Sequence, residues 1–152
     1  MKKSIFIMLA FVVAVFFSVS AHAAPDFSGT WVLDISKSDT GISNPAAKAK
    51  MQKVTLVIKQ TATKLTIQRS SGDIATYNLD GSESVNTLPG GGQTKTTLKW
   101  SGDTLVGKTT SSAGGSMTDV RSLSANGKEM ILKVTTQLPS GERKQTLIYN
   151  KQ

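Results

Sequence analysis

Phe27-Ser28-Gly29-Thr30-Trp31-Val32-Leu33-Asp34-Ile35 is the stretch from which the fold is read. Its odd positions carry Phe27, Gly29, Trp31, Leu33 and Ile35, and its even ones Ser28, Thr30, Val32 and Asp34. Successive side chains of a strand point to opposite faces, so a period of two predicts a half-buried strand with a bulky Trp on its inner face. The segment after it, Ser36 to Gln52, breaks the period. Its middle, Ser43-Asn44-Pro45-Ala46-Ala47-Lys48-Ala49-Lys50-Met51, offers a capping residue, a Pro suited to the first helical position and good helix formers. One or two turns of helix inside a long loop are expected.

The rest of the chain repeats one theme, short β-rich runs punctuated by turn residues. Val54, Leu56 and Ile58 share a face, Thr61-Ala62-Thr63 turns the chain, and Leu65, Ile67 and Arg69 follow at the same period. Ser71-Gly72-Asp73 leads into Ile74 to Leu79, Asp80-Gly81 turns again, and a Gly-rich loop runs from Leu88 to Gly92. Thr94, Thr96, Leu98 and Trp100 alternate with Lys95, Thr97 and Lys99. Further runs follow at Leu105 to Thr109, Met117 to Leu123, Met130 to Gln137 and Lys144 to Asn150, with Asn126-Gly127 a strong hairpin signal. Strands in close succession pair with their neighbours. The expectation is an all-β, antiparallel up-and-down meander of 8–10 strands. A meander exposes two sheet edges unless it closes, which favours a barrel over a two-sheet sandwich.

Upstream, Met1-Lys2-Lys3, an apolar run from Ile5 to Phe17 and Ser18-Val19-Ser20-Ala21-His22-Ala23 have the layout of a Sec-type signal peptide, residues 1–23, cut after Ala23. The run is short for a membrane span, and no basic stop-transfer cluster follows it. The mature chain, residues 24–152, is expected to be one domain, periplasmic or secreted from a bacterium, with no integral membrane span. Cleavage takes Lys2 and Lys3 from 18 Lys+Arg, leaving 16 against 10 Asp+Glu, a mature charge of about +6. It also takes His22, the only histidine. With no cysteine there is neither a disulfide framework nor a lipid anchor, so the domain relies on its own core.

A Gly-x-Trp, here Gly29 and Trp31 within Phe27-Ser28-Gly29-Thr30-Trp31, on a first strand that precedes a long loop and a meander, resembles the lipocalin and fatty-acid-binding proteins of the calycin superfamily, and in particular small exported bacterial lipocalin-like proteins. The resemblance implies a barrel whose Trp plugs one end and whose long loop flanks the other, open end. It also implies a small hydrophobic or amphiphilic ligand inside. Fatty-acid-binding proteins carry an Arg-x-Tyr on the last strand for a carboxylate; here Tyr149 matches the Tyr, and Leu147 stands where the Arg would be.

Without His or Cys, the mature chain has no nucleophile–imidazole pair and no imidazole or thiolate metal ligand, so neither catalysis nor a metal or other cofactor is expected. Asp73, Asp80, Asp103, Glu129 and Glu142 read as solvated turn residues. Asp119 is mid-strand, either paired inward with Arg121 or turned outward. Arg69 and Arg121 have apolar neighbours two residues away; each either faces a cavity, needing an anionic partner, or lays its stem over apolar surface at the barrel mouth. Trp31 reads as core. The candidate ligand-binding residues are Arg69, Tyr77, Trp100, Arg121, Met130, Leu132 and Tyr149.

The basic balance does not read as nucleic-acid binding, because aromatic stacking surfaces are few and the lysines alternate along strands. Lys53, Lys59, Lys95, Lys99 and Lys133 on the faces opposite the core also disfavour an outer-membrane barrel. The leading expectation is a soluble, exported, non-enzymatic binder of a small hydrophobic or amphiphilic molecule, entered near the Ser36–Gln52 loop. The alternative is a filled barrel that meets an anionic envelope surface through its basic face. Periodicity alone does not separate a filled barrel from a hollow one.

Overall fold

The structure is a computed structural model that describes residues 23–51, 54–112 and 114–152. The expected signal peptide, but for Ala23, lies outside the described residues. Ten strands alternate along the chain: β1 (Gly29–Leu33), β2 (Thr55–Gln60), β3 (Lys64–Arg69), β4 (Ile74–Asn78), β5 (Asp80–Thr87), β6 (Gln93–Ser101), β7 (Thr104–Ser111), β8 (Ser116–Leu123), β9 (Glu129–Leu138) and β10 (Gly141–Lys151). A short helix, α1 (Pro45–Met51), lies between β1 and β2. The strands form one antiparallel sheet in the order β4-β3-β2-β1-β10-β9-β8-β7-β6-β5. Every strand except β4 pairs with the next in sequence, and β1 joins β10, with Trp31 opposite both Leu56 and Lys151. The result is the expected meander, curled into a nearly closed barrel.

The Phe27–Ile35 stretch builds the closed end. Phe27 and Trp31 are both fully buried. The Trp31 indole N–H donates to the Phe27 carbonyl at 2.8 Å, so the one polar atom of the plug is satisfied. Gln60 ties the entering chain down, accepting from the Phe27 N–H at 3.0 Å and donating to the Pro25 carbonyl at 2.9 Å. Trp100 packs on Phe27 with ring centroids 6.0 Å apart. The Lys151 ammonium sits 5.2 Å from the centroid of Trp31, a cation–π contact at the barrel's end. Gly29 makes that approach possible: a Cβ there would lie 2.7 Å from Lys151 Cε, and its φ of +136° is one that other residues rarely adopt.

The helix starts where the sequence places it, Asn44 Oδ1 accepting from the N–H groups of Ala46 and Ala47 at 2.9 and 3.2 Å. None of its residues is fully buried. The segment before it is fastened to the barrel wall. Because β1 stops at Leu33, the first half of β10 has no strand beside it there, and Asp39 takes that place by exchanging two backbone hydrogen bonds of 2.8 Å with Thr146. Ser38 and Gln145 add contacts of 2.9 and 2.6 Å, to the Ile148 N–H and the Thr40 carbonyl.

β5 is the strand that periodicity does not announce. Its sequence, Asp80 to Thr87, has no apolar alternation; its buried position is Ser84, while Val85 faces out and is 54% exposed. The expected Asp80-Gly81 turn is instead a bulged start of this strand. Between β4 and β5 there is no backbone ladder. Side chains bridge the seam: Asn86 Oδ1 accepts from the Thr76 N–H at 2.9 Å, its Nδ2 donates to the Thr76 carbonyl at 3.1 Å, and Ser84 Oγ accepts from the Asn78 N–H at 2.8 Å. An asparagine amide reproduces the donor and acceptor of a peptide group, so the β4 edge keeps its hydrogen bonds without a neighbouring strand's backbone.

Candidate functional site

The alternation of β8 sends Met117, Asp119, Arg121 and Leu123 to one face, and the structure turns that face inward. Asp119 is 2% exposed, and its Oδ2 accepts from Arg121 Nε at 2.8 Å. Of the two readings open for Asp119, the inward pair is the one adopted. Room for it comes from β7, where Gly107 stands directly opposite. A Cβ on Gly107 would collide with Asp119 Oδ1, so the carboxylate in this position relies on the glycine opposite it. The pairing holds the Arg121 guanidinium from one side. On its other side lies the ring of Tyr77, with Arg121 Cζ 6.0 Å from the centroid.

Above this pair is an inner cavity of about 80 Å³. Leu56, Ile58, Ile67, Met130 and Leu132 supply an apolar wall, and Arg69, Arg121 and Tyr149 its polar part. Two guanidinium groups and one phenol thus share a space whose lining has no carboxylate. Burial pushes the Tyr149 phenol up in pKa, against the opposing pull of Arg121 and then Arg69. Among the described residues, no hydrogen bond or ion pair engages the Arg69 guanidinium or the hydroxyls of Tyr77 and Tyr149.

Arg69 also lines a second, upper cavity of about 130 Å³. Here the wall changes character: Tyr77, Asn86, Thr94, Thr96 and Thr109 line it, with Met117, Ala75 and Leu88 as apolar parts. Thr96 and Thr109 share a hydroxyl–hydroxyl bond of 2.9 Å, and Thr94 donates to the Asn86 carbonyl at 3.3 Å. Asp73, Ile74, Thr87 and Pro89 form its rim. An apolar groove of about 210 Å³ adjoins it, sharing Leu88, Thr94, Thr109 and Met117 and reaching Leu138. The cavities therefore open beside the β3–β4 turn and the β5–β6 loop. Entry near the Ser36–Gln52 loop was the expectation, but no described residue of that loop lines either cavity.

Of the residues singled out from sequence, Arg69, Arg121, Met130, Leu132 and Tyr149 meet around the inner cavity, and Tyr77 reaches them from the upper one. Trp100 stands apart: it lines neither cavity and belongs to the plug with Phe27. Sequence reasoning passed over Gly107, Asn86 and the inward threonines. A glycine facing an acidic residue across a hairpin is a signal only once the register is known. Asp119, although buried beside Arg121, lines neither cavity and is covered by Gly107 and held by the guanidinium, so it is not placed as an acid or base for a bound molecule. Among the described residues no group of His, Cys, Asp or Glu is arranged to hold a metal ion, and no helix is long and apolar enough to cross a membrane.

No family model and no curated protein matches the chain in sequence. Solved structures do match it in shape. A zebrafish ileal bile acid-binding protein complexed with cholic acid is similar at 18% identity and a TM-score of 0.61, over 83% of this chain and 98% of that one. A Schistosoma mansoni fatty acid binding protein in complex with arachidonic acid gives 16% identity and 0.61, over 83% and 96%. The apo form of Caenorhabditis elegans lipid binding protein 8 gives 14% and 0.62, over 83% and 95%. The barrel expected from the sequence is thus the fold found. At such identities these similarities establish the fold: this chain has the ten-stranded barrel seen in fatty-acid- and bile-acid-binding proteins.

Proposed function

We propose that the mature chain is an exported, soluble, non-enzymatic protein that binds a small hydrophobic or amphiphilic molecule within the barrel, its acidic end between Arg69 and Arg121. The observation that carries this reading is the inner cavity, where two guanidinium groups and the Tyr149 hydroxyl face a wall of Leu56, Ile58, Ile67, Met130 and Leu132. Arg69 is half-buried, and a guanidinium drawn partly out of water beside an apolar wall is a ready partner for an anion. Asp119 answers for one of the two cations, and Arg69 has no such carboxylate. An anionic head group supplies the missing charge, and the apolar wall takes the tail. Similarity to barrels solved with cholic acid and arachidonic acid supports the reading. Export rests on residues 1–23 and predicts a mature N-terminus at Ala24.

The test is native mass spectrometry of the mature protein from its own cell envelope, before and after gentle organic extraction. A discrete added mass that leaves on extraction is expected. A bare polypeptide in both spectra, together with no uptake of an apolar fluorescent probe, overturns the reading.

A further inference from the structure

Two guanidinium groups and one carboxylate set the charge of the inner end of the barrel. Arg69 and Arg121 line the inner cavity. Asp119 lines neither cavity, but its Oδ2 accepts from Arg121 Nε at 2.8 Å, with the Asp119 side chain 3% exposed and that of Arg121 12%. Gly107, directly opposite on β7, keeps the space that this carboxylate fills. Arginine stays protonated in proteins, so two positive charges stand against one negative, and a guest meets a net charge of one. No acid lines the inner cavity. Asp73, on the rim of the upper cavity, accepts from the Ser71 hydroxyl at 2.9 Å and places a further negative charge at the mouth.

For an anion leaving water, attraction to a fixed positive charge grows in proportion to the anion's own charge, whereas the cost of desolvation grows as its square. Against a net charge of one, the second charge of a dianion adds more cost than attraction. Against two unneutralised guanidinium groups the attraction doubles. We infer that Asp119 is a specificity-determining residue: by neutralising Arg121 it fits the Arg69–Arg121 site to a head group of a single negative charge, a carboxylate, sulfonate or phosphodiester, and against a phosphate monoester. This rests on the proposed barrel binding and narrows it. Asp119 acts through Arg121 and is a positioning residue, not a ligand contact. An alkyl tail that starts on the inner apolar wall continues through the upper cavity, where the threonine hydroxyls and the Asn86 amide already have partners, to the apolar groove beside Leu88, Met117 and Leu138.

Isothermal titration of the mature protein with decyl phosphate and decanesulfonate, which carry the same tail, tests the inference. The sulfonate keeps one charge throughout, while a phosphate monoester passes from one to two at about pH 6. Once His22 is cleaved off, the chain has no histidine to titrate in that range. From about pH 5 to about pH 8, decyl phosphate is expected to weaken about tenfold or more, because a like charge nearby moves an ionisation by about one pKa unit or more; decanesulfonate is expected to hold steady. Phosphorus NMR of the bound phosphate reads the same quantity, its second ionisation moving to higher pH. Asp119→Asn, which keeps the shape and an acceptor for Arg121, is expected to tighten both anions, the dianion more, so that the weakening with pH disappears. A purely structural role would weaken both anions and leave their ratio unchanged. Should the variant not fold by circular dichroism, the comparison in the unmodified protein decides alone. Decyl phosphate that binds as tightly at the higher pH, or an unchanged pH dependence in folded Asp119→Asn, overturns the inference and leaves barrel binding standing. Uptake of an apolar probe without either anion overturns the inference and the acidic end of the proposed ligand; failure of anions and probe together overturns barrel binding as well.

Discussion

Two regions of the same barrel use the same strand period to opposite ends. At the closed end, Phe27, Trp31 and Trp100 fill the barrel interior with aromatic volume, and the Trp31 indole N–H is bonded within the plug. Along β5, β6 and β7, beyond the core residues Leu98 and Leu105, the inward residues are Ser84, Thr96, Gly107 and Thr109, which are small or hydroxylated, and a cavity stays open beside the threonines. Alternation decides only which residues face in. Whether the interior is filled depends on the volume and polarity of what is sent there: large apolar groups close over one another, whereas short polar ones bond to neighbours and leave a cavity. The closed end is thus a source of stability, and the β5–β8 wall with Arg69 and Arg121 is where the proposed binding lies.

The comparison is broken most severely at the plug. Trp31→Ala removes a side chain with no solvent exposure and leaves a void beneath Lys151; about 3–5 kcal/mol of stability is expected to go, measured by denaturant unfolding. A loss under about 1 kcal/mol means that the plug does not hold the barrel. Next in size is Gly107→Ala, which forces Asp119 away from Arg121 and is expected to cost about 1–3 kcal/mol. The sharper form of this test is a double-mutant cycle. In an Asp119→Ala background the added methyl meets no carboxylate, so Gly107→Ala should be close to neutral there. Additive effects in the two backgrounds refute the crowding.

The smallest effect expected is in acid, at the other end of β1. The Asp34 carboxylate accepts from the Ser36 hydroxyl and the Asn150 side chain, which hold it below the usual carboxylate range, the Ser36 bond being the larger cause. A depressed native pKa contributes stability that is present above the unfolded value, near pH 4, and is lost as pH falls through the lowered native value. Asp34→Asn should therefore flatten the stability profile slightly below pH 4 and leave the rest unchanged. An unaltered acid limb, read as Tm against pH, shows that these hydrogen bonds persist in the unfolded chain or contribute nothing.

Nine of the ten strands were legible as short β-rich runs between turn residues, most of them with apolar residues at period two, from Trp31 and Leu33 on β1 to Leu147 and Tyr149 on β10. β5 escaped because its inward residues are Ser84 and Asn86; it is a strand by virtue of pairing with β6 and of offering its side chains to β4. The site was legible in part for a related reason. Arg69, Arg121 and Tyr149 continue apolar faces, which made them candidates while leaving the two arginines open between a cavity and the barrel mouth, and the same logic sent Trp100 toward the ligand. Only packing shows that its ring belongs to Phe27.

By itself the sequence determined a disulfide-free all-β meander with one capped helix, and which faces of most strands are dry. These follow from local alternation, turn chemistry and the absence of cysteine, each of which acts between near neighbours in the chain. The tertiary structure decided the rest: that β1 closes on β10, that Asp119 turns inward against Gly107, that Asn86 stands in for a missing backbone ladder, and that Arg69 stands between two cavities. These involve residues brought together from distant strands, whose energies depend on register and on the space left by neighbouring side chains. No periodicity in a single strand encodes either.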